Sequence, residues 1–212
     1  MASSLQLAGP GCFMSAMRLG AAVVMLVAWG AAPAGAQAPA HDWSDGTSVN
    51  LFGGVAADAD GGGGLAGGGA GWTVTPTFGL EGRAGWSNDV GGAEAFAASL
   101  VARFSPWKPR PLVPFLKAGV GLYRAVFDST TGEMPEFYRR RLTAADGSVS
   151  HSVTWTDPTL VAGAGFDIFA SRHVAIRPEV DLSVALDGGH GYAIVNAMVN
   201  IVYHFEDKRV TP

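Results

Sequence analysis

A hydrolase of the Ser–His–acid type needs a histidine within hydrogen-bond reach of a serine, and an acid that orients the histidine. In this chain of 212 residues the candidate constellation is His151-Ser152, with Glu133 or Glu136 upstream, on a connection between two alternating segments. No family motif surrounds them. The remaining histidines, His41, His173, His190 and His204, are scattered without metal-ligand spacing. Cys12 is the single cysteine, which excludes a thiolate zinc site and a disulfide scaffold. Gly61–Gly64 opens no helix, so it reads as a loop tip rather than a phosphate cradle. The expectation is a non-enzymatic protein with no metal and no cofactor.

The other chemically loaded stretch is Arg139-Arg140-Arg141, with Tyr138, Asp146 and His151 nearby. Guanidinium groups bind phosphate bidentately, so an anionic ligand is one reading. The other is a solvated loop of mixed charge that partly extends its flanking strands as a hairpin. A nucleic-acid partner is not expected. The net charge is −4, with no basic block to serve as a cationic footprint.

What positions these residues is a repeating period of two. Alternating segments fall at about 47–56, 66–74, 78–86, 95–104, 113–126, 158–169, 174–186 and 192–205. Most have the length of a tilted membrane-spanning strand. In the seventh, Val174, Ile176, Pro178, Val180, Leu182 and Val184 oppose Arg177, Glu179, Asp181 and Ser183. In the fifth, Leu116, Ala118, Val120 and Leu122 oppose Lys117, Gly119, Gly121 and Tyr123. Eight such segments predict an all-β, eight-stranded antiparallel up-and-down transmembrane barrel.

Two features put the charged face inside. The polar face is crowded with glycine (Gly54, Gly69, Gly71, Gly79, Gly85, Gly119, Gly121, Gly163, Gly165), which a narrow lumen needs and a solvated surface does not. The apolar face carries Trp72, Phe78, Trp86, Phe96, Phe104, Tyr203 and Phe205 toward strand ends, where interfacial aromatics belong. The lumen then receives Glu81, Arg83, Arg103, Lys117, Asp167, Arg177, Glu179 and Asp181, four charges of each sign. Buried charges must pair, so a salt-bridge network that plugs the barrel is expected. A charge-lined pore for small solutes is the alternative.

The N-terminus reads as a secretory signal peptide over 1–36: Arg18, the apolar run Leu19–Trp29, and Ala34-Gly35-Ala36 as cleavage pattern. Met1, Met14 and Met17 are all candidate starts. A periplasmic lead over 37–46, the barrel over 47–205 and a periplasmic tail over 206–212 complete the organisation. Connections at about 57–65, 87–94, 127–157 and 187–191 alternate with shorter ones at 75–77, 105–112 and 170–173, the layout of long outer loops and short periplasmic turns.

Tyr203-His204-Phe205, at the end of the final segment, is similar to the insertion signal of bacterial outer-membrane barrels, with Asn200 where that pattern has Gly. With the eight segments and the loop layout, the chain resembles the small eight-stranded outer-membrane barrels of the opacity and OmpA-like families over about residues 43–205. The resemblance implies an outer-membrane location and insertion by the barrel assembly machinery, with Tyr203 and Phe205 as signal. It also implies contact with lipid and lipopolysaccharide, and a third outer loop able to meet lipopolysaccharide phosphates or a host ligand through Arg139, Arg140 and Arg141. Structure, adhesion or surface interaction is the expected role. Some such barrels cleave or transfer lipid A acyl chains with Ser, His and an acid, so a lipid A acyl hydrolase built on His151 and Ser152 is the third reading.

Overall fold

Successive residues of one strand point to opposite faces, and a sheet that alternates apolar and polar side chains can enclose one face by curling shut, which also leaves no edge strand. The computed structural model does this with β1 (Thr47–Ala57), β2 (Gly62–Thr73), β3 (Phe78–Val90), β4 (Ala93–Phe104), β5 (Leu112–Asp128), β6 (Ser152–Phe169), β7 (Val174–Asp187) and β8 (His190–His204). Each strand pairs antiparallel with its sequence neighbour, and β1 with β8 closes the barrel from Ser48↔His204 to Ala57↔Val195. The structure describes residues 46–59, 61–75, 77–90, 93–106, 112–128, 134–135, 137–139, 141, 152–187 and 190–205. The expected signal peptide, most of the N-terminal lead and the tail lie outside them.

All eight expected segments are strands, and several run further than their side chains announced. β2 begins at Gly62, not at 66, because ladder hydrogen bonds need only backbone; Gly62, Gly63 and Gly64 pair with Ala57, Ala56 and Val55. Gly62–Gly64 is therefore strand and not the expected loop tip. β3 continues past 86 through an irregularity between Ser87 and Val90. β6 begins at Ser152, six residues before the expected start at Pro158. A proline reads as a boundary, but Pro158 sits within the ladder opposite Leu122, and pairing continues to Asp128↔Ser152. β5 and β6 thus rise as the hairpin weighed in the sequence. Three of the four outer connections shrink to 58–61, 91–92 and 188–189, leaving 129–151 as the one long connection. The opposite end carries 74–77, 105–111 and 170–173 together with both barrel termini. There Gly46, at φ 104°, turns the chain into β1 and its carbonyl accepts the Thr73 amide.

The apolar face is outside. Leu51, Leu116, Val120, Leu160 and Ile201 are all more than half exposed. Aromatic side chains bracket this belt, with Trp72, Phe78, Phe104, Tyr203 and Phe205 toward the terminal end and Trp86 and Phe96 toward the other. From Phe78 to Trp86 is about 27 Å of strand, or about 20 Å along the axis at a usual tilt of about 40°.

The inward face is layered, and β5 passes through every layer. Val113 joins Phe169, Ala175 and Val202 in an apolar floor. Phe115 and Lys117 reach the charged layer above it. Gly119 and Gly121 leave no room for a side chain beside Val101 and Ser99, and Tyr123, Ala125 and Phe127 enter an aromatic cluster under the long connection.

A closed lumen as candidate functional site

Alternation along the strands brings all eight charges expected in the lumen into one connected network. Arg103 Nη1 lies 2.9 Å from Asp167, and Asp167 Oδ1 lies 2.5 Å from Arg177 Nε. Arg177 Nη1 reaches Glu81 at 2.7 Å, and Glu81 lies 3.3 Å from Arg83 Nε. Arg83 spans to Glu179 at 2.5 Å and Asp181 at 3.1 Å, and Lys117 Nζ meets the same two carboxylates at 3.2 and 2.7 Å. Arg177 and Asp167 have no exposed surface. Four positive and four negative charges balance, so each buried ion faces a counter-ion across the lumen.

Side chains that the sequence reading did not assign to the lumen network complete the layer. Asn50 donates to Glu81 at 3.1 Å. Asn200 donates to the Arg177 carbonyl at 3.0 Å and accepts from Arg83 at 3.3 Å. Phe52 lies under the Arg83 guanidinium at 4.6 Å, and Phe115 under those of Arg103 and Arg177 at 5.2 and 5.3 Å. Alternation places all four on inward positions of β1, β5 and β8, so the signal was present.

The glycines give these long side chains their space. A Cβ on Gly163 would strike the Asp181 carboxylate and lie 2.7 Å from the Val180 carbonyl, whereas one on Gly82 meets nothing within 4 Å. Gly163→Val is therefore expected to destabilise the refolded barrel by about 1–3 kcal/mol through overpacking. Gly82→Val should be close to neutral, and urea unfolding midpoints distinguish the two.

Above the network lies a cavity of about 70 Å³, lined in part by Arg83, Ser99, Tyr123, Thr159, Asp181 and Asn196. It has room for a few waters. The described part of the long connection packs at the mouth on this side. The Pro135 carbonyl accepts the Tyr138 and Arg139 amides, turning this part of the long connection into a short helical segment. Tyr138 has no exposed surface; its ring lies 4.8 Å from Phe127, 5.3 Å from Trp155 and 5.4 Å from Tyr192. Burial pushes its phenol well above the ordinary range.

Arg141 anchors the same segment. Nη1 and Nη2 donate to Asp157 at 3.0 and 2.7 Å, and Nε donates to Asp187 at 2.5 Å. The Asp187 bond, with that to Asp157, holds the guanidinium charged beyond its already high ordinary value. Of the arginine triplet read as a candidate for an external phosphate, Arg141 is engaged within the barrel. Arg141 is turned onto barrel carboxylates, because Asp157 is nearly buried and must be paired. Arg139 is exposed and donates to the Met134 carbonyl at 2.8 Å. Arg140 lies outside the described residues.

Glu133, Glu136 and His151 also lie outside them, and Ser152 is an exposed residue at the start of β6. Among the described residues no group of three His, Cys, Asp or Glu could hold a metal ion. Tyr203 and Phe205 point outward, their rings 5.0 Å apart, beside His173 stacked on Tyr203.

Two solved structures share this architecture. The N-terminal β-barrel domain of Pseudomonas aeruginosa OprF superposes with a TM-score of 0.52 at 18% identity, over 74% of this chain and 96% of that one. Neisserial surface protein A superposes with a TM-score of 0.54 at 12% identity, over 75% of this chain and 96% of that one. The fold is that of the small eight-stranded outer-membrane β-barrels. No protein-family profile matches the sequence, and no curated protein matches it. The likeness lies in the closed eight-strand architecture and its up-and-down order.

Proposed function

We propose that this chain is an exported, non-enzymatic outer-membrane protein whose barrel is closed and whose work is structural or at the cell surface: envelope integrity, adhesion or surface contact. The observation that carries the reading is the eight-membered ion network across the lumen. Eight strands leave an interior only wide enough for side chains or one small ligand, and here arginines, carboxylates and their aromatic neighbours fill it. A solute pore would need a continuous aqueous path through that layer. The exposed apolar belt and its aromatic borders support a lipid surrounding, since a soluble protein rarely exposes so large a contiguous apolar surface. One of the two similar structures is by name a surface protein.

In this reading the short connections and the barrel termini face the periplasm, and the aromatic mouth faces outward. Tyr203 and Phe205 serve as the insertion signal for the assembly machinery. Outer-membrane lipid and lipopolysaccharide surround the belt, with Arg139 as an exposed cation of the described outer segment. The signal peptide over 1–36 delivers the chain to the periplasm.

Refolded protein in planar bilayers is expected to give no steady ion conductance. Unboiled and boiled samples should migrate differently in SDS, as closed barrels often do. Steady wild-type conductance would overturn the closed-lumen reading in favour of a narrow pore. Recovery of the protein in the soluble periplasmic fraction would overturn the membrane reading.

A further inference from the structure

The outer mouth holds a complete recognition site for a guanidinium group, and the group now in it belongs to the chain itself. Asp157 receives the two terminal nitrogens of Arg141 side by side, and Asp187 receives Nε. Three donors are read in their fixed fork geometry, an arrangement an ammonium ion cannot reproduce. The receiving parts stand on the barrel wall: Asp157 and Trp155 on β6, Asp187 at the end of β7, Tyr192 on β8. Tyr192 donates in turn to Asp58, a third carboxylate at this rim. Asp157 is nine-tenths buried or more, so it is a built acceptor and not a surface acid. The occupant, by contrast, is carried on the long connection.

Two details favour exchange of that occupant, against the cost of uncovering the buried Tyr138 ring beside it. The Asp187 side chain is 45% exposed and that of Arg141 18%, so one side of the ion triplet opens to water. The two carboxylates also outnumber the one guanidinium, leaving the triplet with a net negative charge that favours the approach of a second cation.

We propose that this mouth is a binding site for an arginine side chain of a partner polypeptide, with Arg141 as its internal, exchangeable occupant. An incoming arginine takes the Asp157–Asp187 fork, and the segment carrying Tyr138 and Arg141 leaves the mouth. That uncovers the cavity above the ion network. The proposal rests on the reading that this mouth faces outward, but its test does not. It is done on refolded full-length barrel in zwitterionic nanodiscs, and the orientation is checked separately by protease access on intact cells.

The probe is a dye-labelled peptide, acetyl-Ala-Arg-Ala-amide, with its lysine counterpart as control, followed by fluorescence anisotropy. Wild type should bind the arginine peptide weakly, because Arg141 competes. Arg141→Ala should bind it at least tenfold more tightly, and the lysine peptide should gain much less. Adding Asp157→Asn should abolish the gain. If that double variant does not refold, Asp187→Asn, at the exposed acceptor, should reduce it. A second readout uses the wild-type loop. Ser183 lines the cavity, and the chain after residue 12 contains no cysteine. In a Ser183→Cys protein that also carries Cys12→Ser, saturating arginine peptide should speed labelling by a water-soluble thiol reagent, and lysine peptide should not. Equal affinity of wild type and Arg141→Ala overturns the proposal. So does a gain that survives loss of the carboxylates, or thiol labelling of the Ser183→Cys protein that the arginine peptide leaves unchanged.

Discussion

Arg177→Ala is expected to cost the refolded barrel about 3–5 kcal/mol, read as a fall in the urea unfolding midpoint. The arginine has no exposed surface and holds Asp167 at 2.5 Å and Glu81 at 2.7 Å, so its removal leaves two carboxylates short of a counter-ion. Both keep one partner: Asp167 still has Arg103 and Glu81 still has Arg83. The loss should therefore sit nearer the low end of the range. Arg124→Ala removes the same charge from an exposed position of β5, and such surface changes stay within about 0.5 kcal/mol. Arg177→Ala should also open a leak in planar bilayers, since the guanidinium and the Phe115 ring beneath it fill the centre of the layer. If the two variants unfold alike, the network does not hold the lumen.

The charged layer was legible because it obeys one rule. Once alternation decides which face is inside, Glu81, Arg83, Arg103, Lys117, Asp167, Arg177, Glu179 and Asp181 are fixed by their parity along the strands, and balanced signs require that they pair. Asn50 and Asn200 obey the same parity, but charge balance says nothing of uncharged groups; only their hydrogen bonds to Glu81 and the Arg177 carbonyl reveal them as members of the layer. The mouth was not legible. Tyr138 and Arg141 lie on a connection without periodicity, so nothing local says that this segment folds back. Asp157 read as loop because the alternation of the sixth segment starts at about 158, which concealed that β6 carries a nearly buried carboxylate needing a cation. The arginine triplet looked alike along the sequence. Its described members differ because Arg141 is set by the turn after Pro135 onto Asp157 and Asp187, while Arg139 stays exposed.

Which face meets lipid is tested most directly at Val120, where arginine is expected to cost about 2–4 kcal/mol. The register places it at the middle of the apolar belt. On β4, Phe104 of the lower aromatic border pairs with Leu116, and Phe96 of the upper border pairs with Arg124. Val120 stands midway between those partners and is more than half exposed. An arginine there cannot reach either interface without bending its side chain along the wall. Gly119, one residue away, faces inward, and a side chain there would press on Val101. Gly119→Leu should cost about 1–3 kcal/mol by overpacking. The two variants thus fail for opposite reasons, and labelling separates them: a cysteine at 120 should react with a lipid-soluble probe in liposomes, and a cysteine at 119 should not. Reaction at 119 alone would turn the barrel inside out and remove the lumen network with it. Reaction at 120 fixes the parity of β5, and through the ladder to β4 and β6 it fixes the inward placement of Arg103, Lys117 and Asp167 as well.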